Sequence, residues 1–255
     1  MDTRPIGMFD SGSGGLTVLK EYTKLLPNED FIYFGDTAHL PYGDKSPEKI
    51  REYCEAIVKF LIEKDVKMIV IACGTASANA YSYLKEHFDI EIKSIIEPTA
   101  SSLKDSDIGV IATKATIRSN AWENAIKVFN PTANITSIAC PLFVPLIEEG
   151  LIDNPGTDYI IKEYMDKLDV LNNKITSVVM GCTHYPLLAN KLQAALPNEV
   201  KLINVGEISA QDTLNYLKEN NMQNDISHKG NIELHSSDNF TFFKENAKTL
   251  GFIVD

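Results

Sequence analysis

The sequence has little positive charge and no long apolar run, and each lack excludes a class of function. Its 255 residues include 24 Lys and Arg against 35 Asp and Glu, a net charge of −11, with only three arginines. We therefore expect neither nucleic acid nor an anionic membrane as a partner. No apolar run approaches the roughly 18 residues of a membrane span. Residues 1–7 lack the basic start and apolar stretch of a signal peptide, so a cytoplasmic location is expected.

Cysteines are also few, and their spacing excludes the sites that are built on closely spaced pairs of cysteines. The four are Cys54, Cys73, Cys140 and Cys182, and none forms the C-x-x-C pair of a zinc ribbon or a thioredoxin site. In a cytosolic chain they should be reduced thiols. Cys182 with His184 falls short of the three or four ligands that zinc requires, so no metal is expected.

What the sequence does contain is a regular alternation of strand-like and helix-like segments. Short apolar runs such as 6–10 and 68–72 are each followed by a stretch with helical spacing. A further strand is predicted at 92–96. This alternation predicts an α/β fold with mostly parallel sheets covered by helices.

The pattern restarts near residue 107, where the run 108–113 echoes 6–11. We therefore predict two pseudo-symmetric α/β domains with the active site in the cleft between them. The predicted first domain is 1–97 plus 206–255, and the second is 98–205.

Two passages, 66–75 and 175–184, read as copies of each other. Each is an apolar run, a small residue, a cysteine and a nearby threonine, followed by a helical pattern. The carboxyl end of a buried parallel strand is where open α/β sheets bind ligands. The copies therefore suggest two halves that face each other with one thiol each, Cys73 and Cys182. A pair of opposed acid–base groups is what inversion at a carbon centre requires.

Each cysteine also has a structural interpretation. Cys73 precedes a helix start predicted at Ala76, whose free N–H groups would stabilise a thiolate, but buried structural cysteines are common. His184 is a candidate proton partner for Cys182, although a capping or core histidine is the plain alternative. A tyrosine phosphatase loop is excluded, because no arginine stands six residues after either cysteine.

Polar residues follow several other predicted strands. The turn 10–15 offers N–H groups and the Ser11 hydroxyl as a cradle for a small anion, with Asp10 as a carboxylate near the thiols; it could equally be a tight connection. The loop 35–43 is either a ligand-binding loop or a solvent-exposed connection between elements. Lys45 is the only basic residue in these motifs, so a bound carboxylate would be held by helix N-termini, hydroxyls and amides. The residues expected to have structural roles only are Asp36, His39, Cys54, Trp122, Cys140 and His235.

Four motifs together resemble the glutamate racemase family. They are the segments 9–18, 33–46, 72–78 and 181–188, in matching order over essentially the whole chain. The resemblance implies a racemase that interconverts L- and D-glutamate with no cofactor and supplies D-glutamate for bacterial peptidoglycan and thus cell shape. It also implies two α/β domains and a homodimer.

The resemblance also implies roles for individual residues. Cys73 and Cys182 match the catalytic cysteines, with Asp10 assisting Cys73 and His184 assisting Cys182. The positions that match substrate-binding residues are Asp10, Ser11, Tyr42, Gly43, Gly74, Thr75, Thr183 and His184, with Pro41, Thr113, Thr116 and Glu148 as less central pocket positions.

One position departs from the family pattern, and three other functions stay open. The family usually has Asn after the first cysteine, where this chain has Gly74, so only a backbone N–H is left there to bind substrate. The alternatives are a racemase for aspartate or another amino acid, a non-catalytic amino-acid binding protein, and a cysteine hydrolase that uses Cys182 and His184.

Overall fold

Strands and helices alternate along the chain, as the predicted α/β fold requires. A computed structural model describes residues 1–224 and 227–252. Its strands are β1 (Ile6–Asp10), β2 (Phe31–Gly35), β3 (Met68–Ile71), β4 (Ile92–Ser94), β5 (Asp107–Ala112), β6 (Asn134–Ala139), β7 (Ser177–Met180), β8 (Lys201–Ile203) and β9 (Ile232–Ser236). Its α-helices are α1 (Leu16–Leu25), α2 (Pro47–Glu63), α3 (Gly74–His87), α4 (Ile96–Ser102), α5 (Lys114–Arg118), α6 (Ala121–Phe129), α7 (Phe143–Glu148), α8 (Pro155–Leu168), α9 (Ala189–Ala194), α10 (Val205–Glu219) and α11 (Phe240–Thr249). Short 3₁₀ turns lie at Thr37–His39, Tyr42–Asp44 and Tyr185–Leu188.

The strands form two sheets. One has the order β4-β3-β1-β2-β9 and the other the order β6-β5-β7-β8. Every strand pair in both sheets is parallel. Because parallel neighbours need a crossover connection, each strand is joined to the next by helical segments.

The two sheets repeat one topology. The strands β5, β6, β7 and β8 have the same neighbours as β1, β2, β3 and β4, and β9 is an addition at the β2 edge. The sequence echo between 6–11 and 108–113 therefore marks equivalent central strands, β1 and β5. The two cysteine-ended strands, β3 and β7, are the equivalent neighbours of these central strands.

Local sequence explains why these segments take these forms. All residues of β1, β3 and β7 are buried, as expected for strands covered by helices on both faces. The helix α2 begins after Ser46, whose hydroxyl accepts a hydrogen bond from the Lys49 N–H, and Pro47 occupies its first turn. In the part of the chain that the structure describes, no helix is both long and apolar enough to cross a bilayer.

The two sheets share part of their core. One apolar cluster includes Met8 and Val70 of the first sheet together with Val110 and Val179 of the second. The helices α1 and α10 pack in the same region, where the buried Tyr22 hydroxyl is hydrogen-bonded to Ser209 and Thr213 on α10. This shared core brings the carboxyl ends of both sheets to one cleft.

Two predicted boundaries are wrong by a few residues. The strand predicted at 92–96 ends at Ser94, because the Ser94 hydroxyl accepts the Ile96 N–H and starts α4 there. The helix predicted from Ala76 begins at Gly74, because the Cys73 sulfur accepts the Ala76 N–H and caps it. The predicted domain limits stay a prediction, and residues 225, 226 and 253–255 of the first predicted domain lie outside the described residues.

Candidate active site

One cavity lies where the carboxyl ends of the two sheets meet. Both cysteines line it, although they are 109 residues apart in the sequence and belong to different sheets. Its volume is about 60 Å³. The predicted site residues that line it are Ser11, Pro41, Tyr42, Gly43, Cys73, Gly74, Thr75, Thr113, Cys182, Thr183 and His184.

Three other predicted site residues lie behind this lining and hold it. Asp10 accepts a hydrogen bond from the Thr183 hydroxyl at 3.0 Å. The Thr116 hydroxyl is 3.0 Å from that of Thr113. Glu148 Oε1 is 2.5 Å from His184 Nε2. These three side chains contact lining residues directly and form a second layer of the site.

Cys73 lies at the end of β3, beside the turn that follows β1. Its thiol is 3.7 Å from the Ser11 hydroxyl, and Ser11 in turn donates to Asp10 Oδ1 at 3.1 Å. Burial raises the pKa of Cys73, and the neighbouring Asp10 raises it further. The hydrogen bonds from Ala76 and Ser11 act in the opposite direction but are outweighed. The thiolate stabilisation expected from the helix start is therefore overcome, and this cysteine is held as a thiol.

Cys182 lies at the end of β7 and has a different partner. Its sulfur is 3.9 Å from His184 Nδ1, while His184 Nε2 contacts Glu148 on α7. Burial alone would lower the pKa of His184, but the contacts with Cys182 and Glu148 outweigh it and raise the value to about 10. The pKa of Glu148 is lowered despite burial, chiefly by His184. At neutral pH His184 is therefore an imidazolium cation between a carboxylate and the Cys182 sulfur.

Asp10 connects the two halves of the site. It is fully buried and accepts hydrogen bonds from the Gly12 N–H, Ser11 and Thr183. Burial raises the pKa of Asp10, and the charge of His184 and these hydrogen bonds partly oppose that rise. A carboxyl group so placed can hold or release a proton beside the Cys73 thiol.

Two glycines are required by close approaches within the site. A Cβ on Gly14 would lie 2.3 Å from ring atoms of His184, so the imidazole packs directly on that backbone. A Cβ on Gly74 would lie 2.2 Å from the carbonyl oxygen of Gly181. The segments that carry Cys73 and Cys182 can therefore approach this closely only because Gly74 has no side chain.

The loop after β2 has a closed hydrogen-bond arrangement that places Tyr42 at the cavity. Asp36 is buried and accepts from the Tyr42 hydroxyl at 2.6 Å and from Ser237 at 2.7 Å. His39 contacts the same carboxylate and stacks on Tyr53. Asp36 and His39 therefore have structural roles, as predicted, but the structure that they hold is a wall of the site.

Sequence reasoning missed part of the lining. The additional residues are Leu40, Asp44, Lys114, Cys140, Pro141, Val144 and Pro145. Cys140 and Pro141 directly follow β6, a position that could have marked them, since the other predicted residues also follow strands. Besides His184, the basic residue in the lining is Lys114, whereas Lys45 does not line the cavity. Lys114 directly follows the predicted site residue Thr113, and this adjacency is the feature of the sequence that could have identified it as a lining residue.

The arrangement places two unlike acid–base groups on one cavity. On one side a protonated thiol, Cys73, is linked through Ser11 to a carboxyl group. On the other, the Cys182 sulfur lies 3.9 Å from Nδ1 of the His184 imidazolium. One sulfur at the cavity therefore has a carboxyl group as its neighbour and the other has a cation.

Comparisons with known proteins identify relatives of this chain by sequence and by fold. A family model described as Asp/Glu/hydantoin racemase matches residues 11–213. A glutamate racemase from Geobacter metallireducens is 43% identical over 242 residues, which cover 93% of this chain and 89% of that protein. The crystal structure of glutamate racemase from Francisella tularensis in complex with D-glutamate superposes with a TM-score of 0.91 at 37% identity, over 98% of this chain and 94% of that one. A glutamate racemase isoform from Bacillus anthracis gives a TM-score of 0.94 at 30% identity, over 100% and 97% of the two chains.

Proposed function

This chain belongs to the Asp/Glu/hydantoin racemase family, and on that premise we propose that it interconverts L- and D-glutamate by two thiols acting from opposite faces of Cα. The observation that carries the proposal is that Cys73 and Cys182, at equivalent strand ends of the two sheets, line one cavity. No cofactor takes part in the proposed reaction.

The unequal surroundings of the two thiols give each a starting role. With L-glutamate bound, the Cys182 thiolate removes the Cα proton: the Cα–H bond breaks and an S–H bond forms. The imidazolium of His184 stabilises the thiolate before this step. Cys73, held as a thiol, then gives its proton to the opposite face of Cα and is left as a thiolate. The reverse reaction exchanges the two roles, so Cys73 acts on D-glutamate.

The developing charge on the substrate needs fixed partners, because the Cα–H group of an amino acid is a very weak acid. We propose that the hydroxyls of Thr75, Thr113 and Thr183 and the N–H groups at the start of α3 bind its carboxylates and amino group. Lys114 at the cavity supplies a positive charge for one carboxylate. The proposed remaining contacts are Ser11, Pro41, Tyr42, Gly43 and Gly74, with Asp10, Thr116 and Glu148 behind them.

Glutamate enters by separation of the two halves. The cavity of about 60 Å³ is well below the roughly 150 Å³ that accommodates benzene, and glutamate has more heavy atoms than benzene. The hydroxyl of Thr183 bonds Asp10, and that of Thr75 lies 2.9 Å from Thr113, so these cross-cleft contacts must open to admit substrate. Closure afterwards removes water from the reacting groups.

The proposal is tested by following the optical rotation of L- and of D-glutamate with enzyme dialysed free of small molecules. We expect both solutions to reach the racemate with no addition. Parallel reactions with aspartate and other amino acids test the rival racemase, and release of ammonia tests the cysteine hydrolase. Unchanged rotation for glutamate, or faster racemisation of another amino acid, would overturn the proposed substrate.

The pH dependence of the reaction should follow His184. The raised pKa keeps its ring protonated well above the usual 6.5, so kcat/KM should fall as the pH rises through about 10. Glu148→Gln removes the carboxylate that raises this pKa, while the burial that lowers it remains, so the alkaline limb should move toward neutral pH. The measurement is a pH profile of kcat/KM for both proteins, with Glu149→Gln, an exposed neighbour, as the matched control. An alkaline limb that does not move in Glu148→Gln would contradict this role of the ion pair.

Gly74 is expected to be required for the distance between the two thiols. Because its Cβ position lies 2.2 Å from a backbone oxygen, Gly74→Ala and Gly74→Asn should both force the Cys73 and Cys182 segments apart. We expect kcat/KM to fall about ten-fold in each, since small displacements of reacting groups cost large factors in rate. Steady-state kinetics of both variants tests this. If Gly74→Asn exceeds the wild type, substrate binding by an amide matters more than this close approach.

We further propose that the enzyme supplies D-glutamate for peptidoglycan, works in the cytoplasm and forms a homodimer. These assignments are supported by the family resemblance, and the cytoplasmic location also by four cysteines that are all free thiols. Light scattering coupled to size-exclusion chromatography tests the dimer, whose expected mass is twice the 28.3 kDa of one chain. A mass of one chain would contradict it.

A further inference from the structure

The C-terminal helix α11 packs against the turn that carries Asp10 and Ser13. Phe243 of α11 is fully buried and stacks on Tyr33, with ring centroids 5.9 Å apart. The Tyr33 hydroxyl donates to the carbonyl oxygen of Gly12 at 2.8 Å. The position of this turn is therefore coupled to the position of α11, although α11 contributes no residue to the cavity lining.

A second contact from α11 leads further, to the catalytic histidine. Asn246 lies one turn after Phe243 and donates its Nδ2–H to Ser13 Oγ at 3.2 Å. Ser13 donates to Glu148 Oε1 at 3.1 Å, and the same oxygen lies 2.5 Å from His184 Nε2. The four side chains form one continuous hydrogen-bonded path from the C-terminal helix to the imidazole.

The direction of the hydrogen bonds along this path is fixed by the chemistry of a hydroxyl. Ser13 has one proton to donate and can accept with its lone pairs. Because the Glu148 carboxylate can only accept and the Asn246 NH₂ group can only donate, the single proton of Ser13 is directed to Glu148 while Asn246 holds the Ser13 oxygen from the other side. Glu148 then accepts from both Ser13 and His184, which fixes its carboxylate between them.

We propose that Asn246 is a positioning residue, which orients Ser13 as an obligatory donor to Glu148 and through Glu148 holds His184 against Cys182. The inference rests on the proposed function, because it assigns to α11 a part in the acid–base step of that same site. The charged and titratable groups around His184 are Glu148, Cys182 and Asp10. Asn246 is uncharged, so its replacement alters the orientation of this group without adding or removing a charge.

The test compares Asn246→Ala, Ser13→Ala and the double variant with the wild type. We expect each single change to lower kcat for glutamate about three- to ten-fold, the loss typical of one hydrogen bond, with little change in KM. The double variant should lose no more than the worse single variant, because both changes act on the one hydrogen bond from Ser13 to Glu148: Asn246→Ala removes the contact that holds Ser13 in place, and Ser13→Ala removes the donor itself. The alkaline limb of the pH profile should move below that of the wild type in all three. Lys248→Ala, an exposed position on the same helix, is the control and should retain full activity.

The outcomes separate this inference from the proposed function. If the wild type does not racemise glutamate, the proposed function fails first. If it does, and Asn246→Ala has wild-type kcat and pH profile, the positioning role alone is wrong. Losses that multiply in the double variant would show that α11 acts through general stability and would also overturn it. Thermal unfolding of all variants identifies any that are not folded, in which case Asn246→Ser replaces Asn246→Ala in the same comparison.

Discussion

Cys182→Ser and Cys73→Ser are each expected to lower kcat/KM for glutamate by at least about 10³-fold, within the range attributed to a positioned acid or base. A serine hydroxyl is a far weaker acid than a thiol, so it neither removes the Cα proton as an anion nor returns one readily. Both directions must lose kcat/KM equally, because enantiomers have equal free energies and the equilibrium constant is one. The measurement is steady-state racemisation of each enantiomer by circular dichroism.

The chain offers a matched control for this loss. Cys54 is also buried and free, but it lies on α2 and does not line the cavity. Cys54→Ser should therefore keep near wild-type kcat/KM. If either Cys73→Ser or Cys182→Ser racemises glutamate at a rate close to that of Cys54→Ser, the two-thiol mechanism is wrong.

His184→Asn is expected to lower kcat/KM by about 10²- to 10³-fold, as for loss of a general acid–base partner. The change removes the cation 3.9 Å from the Cys182 sulfur and leaves the partly buried Glu148 without its cationic partner, with only the Ser13 hydrogen bond described on its carboxylate. A carboxylate without that partner should disfavour charge on Cys182 as well. The loss should therefore exceed that of Glu148→Gln, which keeps the imidazole in place.

His87→Asn provides the comparison for that variant. His87 is exposed at the end of α3, its Nδ1 is hydrogen-bonded to the Tyr83 carbonyl oxygen, and it does not line the cavity. It should leave kcat/KM unchanged. Activity of His184→Asn within about three-fold of the wild type would mean that Cys182 needs no imidazolium partner.

The sequence predicts the fold and the positions of both thiols for a physical reason. Strands buried on both faces are continuous apolar runs, so β1, β3, β5 and β7 are recognisable without knowing their partners. Parallel strands bring their carboxyl ends to one edge, which makes the residue after each strand a candidate for the site. Cys73 and Cys182 meet both conditions, and the repeat of the two passages marks their sheets as equivalent.

The contacts between the two halves could not be predicted in the same way. Thr183 and Asp10 are 173 positions apart, and Ser13 and Glu148 are 135 apart. No local periodicity encodes which turns will face each other, because that depends on how the two sheets pack. The start of α3 is predicted too late for a different, local reason, since a cysteine sulfur accepts the capping N–H at Cys73 in place of the usual oxygen.

The central claim is that different groups take and give the Cα proton, and the origin of the proton in the product tests it most directly. Wild-type enzyme is incubated with L-glutamate in D₂O, and both enantiomers are analysed for Cα deuterium by mass spectrometry in the first few per cent of reaction. Two thiols acting from opposite faces predict D-glutamate that carries deuterium from the outset, while the remaining L-glutamate keeps its proton. D-glutamate that retains the substrate proton, or L-glutamate that exchanges faster than it racemises, would contradict the account.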